Sequence, residues 1–130
     1  MPSETTAYNV YRVYFEQSRG PNHEGIALVP AQNPNQNAGR FYHVKGTVGL
    51  GMDYDPHPGN RFGEIEGFKE SILQFQFPRA MLGRFEEIAA DQPPPYDPRA
   101  LTEVNPDPLV KNCSDWVSEV LGRVRDLIAA

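Results

Sequence analysis

Cys113 is the only cysteine in the 130-residue chain, and His23, His43 and His57 are its only imidazoles. A cysteine attacks carbon as its thiolate and needs a base within hydrogen-bond reach. Cys113 lies in "KNCSDWVSEVLG", residues 111–122, at the start of an apolar stripe. Val117, Val120, Leu121, Val124 and Leu127 recur at helical spacing, which predicts an amphipathic helix. Asn112 is a suitable N-cap, and Asp115, three residues on, resembles the acidic member of a capping box. Cys113 is then the first residue of the helix. Free backbone N–H groups and the helix dipole favour a thiolate there and can hold an oxyanion. Four residues before Val117, Cys113 turns toward the core side of the helix. A free cysteine also packs as a small hydrophobe, so position alone leaves chemistry and filling both open.

The three histidines differ in setting. His23 opens "NHEGIALV", where a strand edge is a rigid mount for a general base; a surface histidine in a turn is the plainer reading. His43 lies in "FYHVKG" and reads as a half-buried strand residue among aromatics. His57, between two prolines in "DPHPG", reads as an exposed turn residue. A zinc site built from Cys113 and the histidines lacks the close ligand pairing of zinc motifs, so neither a metal nor a cofactor is expected.

The elements that must carry these residues follow from pattern. "AYNVYRVYFEQ" is filled with Tyr, Val and Phe and predicts a strand buried on both faces. "SRGPNH" is a turn, "HEGIALVPA" a second strand and "QNPNQNAG" a loop. "RFYHVKGTVGLGMDYD" predicts a third strand that continues past its glycines with a bend or bulge. "PHPGNRFGEIEGF" reads as irregular and "SILQFQF" as a further strand. Pro78 suits the first turn of a helix, "PRAMLGRFEEIAAD", whose apolar positions are Met81, Leu82, Phe85, Ile88 and Ala89. Residues 92–110 form a proline-rich connecting loop, and residues 1–6 a disordered tail. Strands before helices predict an α+β domain spanning 1–130, with an antiparallel sheet of about four to six strands packed against two or three helices. A hairpin centred near Gln36 sets His43 opposite Val29, six residues along the strand from His23. At about 3.3 Å per residue that is about 20 Å, so His43 reaches His23 only through a strong register shift. Glu16, Gln17 and Asn22 are the other candidates to orient His23.

Composition narrows the partners. A net charge of -5 with no basic patch argues against nucleic acid. No apolar run approaches the roughly 18 residues of a membrane span. "MPSETTAYNV" lacks the apolar core of a signal peptide, and a lone cysteine makes no internal disulfide. Together these point to a cytoplasmic protein.

"NHEGIALV", "RFYHVKG" and "KNCSDWV", in that order, resemble the permuted papain-like proteins of the NlpC-type superfamily, in particular the lecithin retinol acyltransferase-like and PPPDE-like groups. There a His opens a strand in an H-x-G-I-type segment, a second His follows on the next strand, and the nucleophilic Cys opens a late helix. The chain also resembles a family of small, poorly characterised fungal proteins that share a proline cluster, here "QPPPYDP", and a C-x-[DE]-W helix start, here "CSDW". The first resemblance implies a permuted papain-like fold, Cys113 as nucleophile, His23 as general base and, by order, His43 as third member. The second implies a link to natural-product pathways.

Three functions compete. The first is a Cys-His hydrolase or acyltransferase acting on an amide, ester or thioester of a small molecule or peptide, with helix N–H groups holding the oxyanion. Asn112, Trp116, Tyr14, Tyr42 and Tyr54 are its candidate substrate contacts. The second is a non-covalent binder or cyclase-like tailoring protein with an aromatic pocket. The third is an interaction module in which "PPPY" recruits a polyproline-reading domain; a rigid loop over the Cys113 helix is the plainer reading of that motif.

Overall fold

The Tyr/Val/Phe-rich segment becomes an inner strand because both of its faces have something to bury. In the computed structural model, which describes residues 7–16, 23–33 and 37–129, it is β1 (Ala7–Phe15). β2 (His23–Pro30), β3 (Gly39–Thr47), β4 (Gly51–Asn60) and β5 (Phe68–Pro78) complete one antiparallel sheet in the order β4-β3-β2-β1-β5. α1 (Leu82–Asp91), the single turn α2 (Arg99–Thr102) and α3 (Cys113–Ala129) follow. The fold is α+β, as the order of strands and helices predicts. The expected tail 1–6, residues 18–22 of the expected turn "SRGPNH" and residues 34–36 of the expected loop "QNPNQNAG" lie outside the described residues, as do Gln17 and Asn22.

Strand alternation sends side chains to two separate clusters. On one face Tyr8, Val10, Ile26, Leu28, Tyr42 and Val44 pack beneath α1 and α3, against Phe85, Trp116, Val117, Val120, Leu121 and Val124. On the other, Tyr11, Val13, Phe15, Ala27, Val29 and Phe41 gather around Phe62, with Phe68 beside them. Fully burying each large apolar side chain is worth about 1.5–3 kcal/mol, and the five predicted stripe positions of α3 include four of its buried residues.

Strand boundaries are the first point at which the structure corrects the sequence expectations. The expected third strand is two, folded back at residues 48–50. Gly46 and Gly51 hold φ of 105° and 96° at the hairpin ends, a backbone region that costs glycine least. The turn is closed by Leu50 N–H to Thr47 O (3.1 Å) and Gly51 N–H to Val48 O (3.2 Å). "PHPGN" is therefore the second half of β4 rather than irregular. β4 is an edge strand, where a proline's missing N–H need not break the ladder. Pro78 likewise ends β5, and a 3₁₀ turn at Arg79–Met81 precedes α1.

The second correction is the β2–β3 register. Leu28 faces Arg40, Ala27 faces Phe41 and Ile26 faces Tyr42, whereas a hairpin centred on Gln36 would set Leu28 against Val44. Hydrophobic alternation fixes only which face a residue takes, and both registers satisfy it. The difference lies in the loop. Asn33 N–H turns back onto Pro30 O at 2.9 Å. A Cβ on Gly39 would stand 2.4 Å from the Leu28 carbonyl oxygen, so a glycine there lets the start of β3 approach β2.

The proline-rich loop is a strap, interrupted by α2. Met52 N–H donates to Pro95 O and Asp97 N–H to Val48 O, each at 3.0 Å, tying it to the β3–β4 hairpin. Trp116 Nε1–H donates to Gln92 O at 3.2 Å, tying it to α3. Pro95 is buried while Tyr96 is exposed. Among the described residues no helix is long and apolar enough to cross a membrane.

Candidate functional site

Cys113 is the first residue of α3, and its cap forms as the residue types predict. Ser114 N–H donates to Asn112 Oδ1 and Asn112 N–H donates to Asp115 Oδ2, both at 2.9 Å. The two bonds satisfy donors that the helix end would otherwise strand.

A second device fixes where that helix end sits. Glu24, buried beside His23, accepts from Arg12 Nε at 2.6 Å. Arg12 Nη2 then donates to Ser114 O and Ser114 Oγ, both at 3.0 Å. The guanidinium thus bridges β1, β2 and the first turn of α3. Nothing in the sequence pattern marks Arg12 or Glu24 for this role; the one available signal is a charged residue inside each of two apolar strands.

Cys113 is 6 % exposed. Burial raises its thiol pKa, and hydrogen bonding from the backbone of Glu24 and Ser114 offsets this only in part. The helix start was expected to favour a thiolate; desolvation outweighs it, and the resting group is a thiol. Contact with the Glu24 backbone places the sulfur next to the strand residue that follows His23. Cys113, Asn112 and His23 line one cavity of about 370 Å³, with Lys45, Gly46, Val48 and Met52. No hydrogen bond joins Cys113 to His23 among the described residues.

On the other side of His23 lies a relay. His23 Nε2 is 2.8 Å from His43 Nδ1. His43 Nε2 is 2.9 Å from Asp55 Oδ2, and His57 Nε2 is 2.8 Å from the same oxygen. The separation of about 20 Å expected between His23 and His43 is overturned by the observed register. Extending the Ile26–Tyr42 pairing puts the two on one face as diagonal neighbours. His43 pairs directly with Asp55, and Phe41 with His57, so the shared face follows from period two. His57 is part of a strand and half-buried rather than an exposed turn residue.

The proton positions follow from chemistry. A carboxylate only accepts, so His43 carries its hydrogen on Nε2 and donates to Asp55. A neutral His43 then has a bare Nδ1, which accepts from His23 Nε2–H. That leaves Nδ1 of His23 as its unprotonated nitrogen, with no hydrogen-bond partner among the described residues. Burial lowers the pKa of His43, against the pull of Asp55, and lowers that of His23 to about 4. Both imidazoles are neutral at pH 7. Burial pushes the Asp55 carboxyl up, but the hydrogen bonds from His43 and His57 outweigh it and hold it below the usual range.

Phe41 supports this face. Its ring lies 4.8 Å from that of His43 and stacks on Phe62 at 5.9 Å. A Cβ on Gly25 would stand 2.6 Å from the Phe41 ring; the glycine of "HEGI" is what gives that ring its place.

The aromatic candidates divide. Tyr42 is 1 % exposed and donates its hydroxyl to Glu86 Oε2 at 2.7 Å; burial and Glu86 keep the phenol protonated. Trp116 is equally buried and packs on Tyr54 with ring centres 5.9 Å apart. Tyr14 is partly buried on the helix-covered face of β1. Glu16 follows the last residue of β1 and lines a smaller cavity of about 220 Å³ with Phe15, His23 and His43. A third cavity of about 410 Å³ runs between the proline strap and α3, along Trp116 and Glu119.

Asp55, which the sequence reading does not single out, completes the cluster with His57, which it sets aside as an exposed turn residue. Their signal is the D-x-H spacing in "YDPHPG", which puts both on one strand face; the flanking prolines mask it by arguing against a strand. Compared with known proteins, residues 10–127 match the model of a family of unknown function, DUF6540. No curated protein and no solved structure matches.

Proposed function

We propose, for a chain that belongs to the DUF6540 family of unknown function, a cysteine-dependent acyl transfer or hydrolysis with Cys113 as nucleophile and His23 as general base. One observation carries the reading: Cys113, on the first turn of a capped helix, shares a cavity with a histidine whose other nitrogen is held by His43 and, through it, by Asp55. A base oriented by a third group is the arrangement nucleophilic catalysis requires. His23 Nδ1 takes the thiol proton as Sγ attacks the acyl carbon. The N–H groups of Asn112, Ser114, Asp115 and Trp116 already donate within the capped first turn, so the oxyanion falls to the N–H of Cys113 itself, and His23–H returns the proton to the leaving group. Water or a second nucleophile then releases the acyl group. Because the thiol is protonated at rest, proton removal accompanies attack. The order of His23, His43 and Cys113, and a late helix docked on the strand of the first His, also support a permuted papain-like architecture.

The test is acylation by p-nitrophenyl acetate, read as a burst of nitrophenolate and as acetyl on a peptide by mass spectrometry. One equivalent on Cys113 is expected, absent in Cys113→Ala and slowed about 10²–10⁴-fold in His23→Ala. An unchanged rate in His23→Ala overturns the reading. The burial and raised pKa of Cys113 favour one alternative, a non-covalent binder or cyclase-like tailoring protein. On that reading no acyl-enzyme forms and ligand binding survives Cys113→Ala.

A further inference from the structure

We infer that His43, Asp55 and His57 form a binding site for a divalent transition-metal ion of the zinc class, and that occupancy reverses the hydrogen-bond relay to His23. The first part stands on geometry. The three side chains project from β3 and β4 on one sheet face, and one ligand atom from each lies within 4.8 Å of the others. The Nε2 atoms of His43 and His57 are 2.9 and 2.8 Å from Asp55 Oδ2. Donors each about 2.1 Å from one ion stand about 3 Å apart when they subtend a right angle, which is the spacing each imidazole already has to Asp55 Oδ2; the carboxylate swings aside to let the ion between them. Two imidazoles and one carboxylate suit Zn²⁺, Co²⁺ or Fe²⁺ over Mg²⁺ or Ca²⁺. Three ligands leave positions open to water, and His57, with 40 % of its side chain exposed, gives the ion a way in. Lys45 Nζ, 3.8 Å from Asp55 Oδ1, is the one cation paired with the carboxylate among the described residues; at 62 % exposure it can turn into solvent. The short strand spacing was not legible as a metal motif because the ligands come from two strands and the expected set was centred on Cys113.

The second part follows from proton bookkeeping and rests on the proposed function. A metal on Nε2 of His43 displaces its hydrogen, so the neutral ring carries it on Nδ1. That N–H donates to His23 Nε2, which becomes the acceptor. A neutral His23 then carries its hydrogen on Nδ1, the nitrogen that otherwise serves as the base. His23 and His43 each hold one proton before and after, so the exchange between them is a change of tautomer. The metal thereby withdraws the base from Cys113 without touching it.

The experiment titrates metal-free Cys113→Ser protein with Co²⁺, reading d–d absorption and, with Zn²⁺ in its place, the ¹⁵N shifts of the imidazoles. One equivalent is expected, with binding weakened more than about 10–100-fold, the range for outer partners alone, in His57→Ala and in Asp55→Ala. The His23 hydrogen should move from Nε2 to Nδ1. On wild-type protein, Zn²⁺ should slow Cys113 acylation, and His57→Ala should relieve that inhibition. Binding that survives both ligand variants while their spectra remain folded, or no binding below about 1 mM, overturns the site. Binding with the His23 tautomer unchanged overturns the coupling. Because cobalt is read in a protein lacking the thiol, absence of acylation would count against the enzyme reading and leave the metal result intact.

Discussion

His23 and His43 touch across the β2–β3 pair, Nε2 to Nδ1 at 2.8 Å, with Asp55 behind them. The contact makes the protonation of one ring depend on the other. Asp55→Asn gives His43 a neutral partner that can donate as well as accept, which frees the tautomer of both rings. Acylation of Cys113 should fall about 10–10²-fold, with the loss read in the rate rather than in substrate binding. Long-range ¹⁵N–¹H spectra should show His23 Nδ1 bare in the native protein and mixed in the variant. A native His23 protonated on Nδ1 would contradict the relay.

The thiol supplies a second expectation. Burial holds Cys113 above its ordinary pKa, and the thiolate is the alkylating species. Iodoacetamide should therefore label Cys113 slowly at pH 7, with a rate that keeps rising beyond pH 9. A plateau below pH 8 would mean a preformed thiolate–imidazolium pair.

Stability should respond to acid through the same histidines. His23 titrates at about 4 in the folded chain and near 6.5 unfolded, and His43 is lowered as well. Between these values the unfolded chain binds more protons, so stability is lost as pH falls from about 6.5 toward 4. Allowing for solvent screening, His23 contributes about 1–2 kcal/mol to that loss. Urea unfolding of metal-free protein at pH 7 and pH 4.5 measures it, and His23→Gln should shrink the difference.

The Arg12–Glu24 bridge is a structural prediction. Arg12→Met strands the Glu24 carboxylate in a buried setting and should cost about 3–5 kcal/mol. Arg12→Met with Glu24→Leu should recover most of this in thermal unfolding, while acylation remains impaired because the first turn of α3 has lost its tie to β2. Equal stability of the single and double variants would show that the pair is not coupled.

Much of the architecture was legible. The stripe from Val117 to Leu127, the Asn112 cap and the dense apolar pattern of β1 each specify their element locally. The β4 strand was not, because Pro56 and Pro58 oppose it locally and only its edge position permits them. The site was half legible. Cys113, His23 and His43 stand out by residue type, but the contact between the two histidines depends on a β2–β3 register that alternation leaves undetermined. Asp55 and His57 became visible only once β4 was a strand, and Arg12 and Glu24 only once α3 had docked.

The bridge from Glu24 through Arg12 to Ser114 spans 90 residues of sequence between its two acidic and hydroxyl ends. His23, His43 and Asp55 all precede the cysteine in the chain, and Cys113 reaches the His23 end of β2 only on the helix that this bridge ties down. On the proposed reading, a chain that stops short of α3 therefore has the base and its orienting groups but no attacking sulfur.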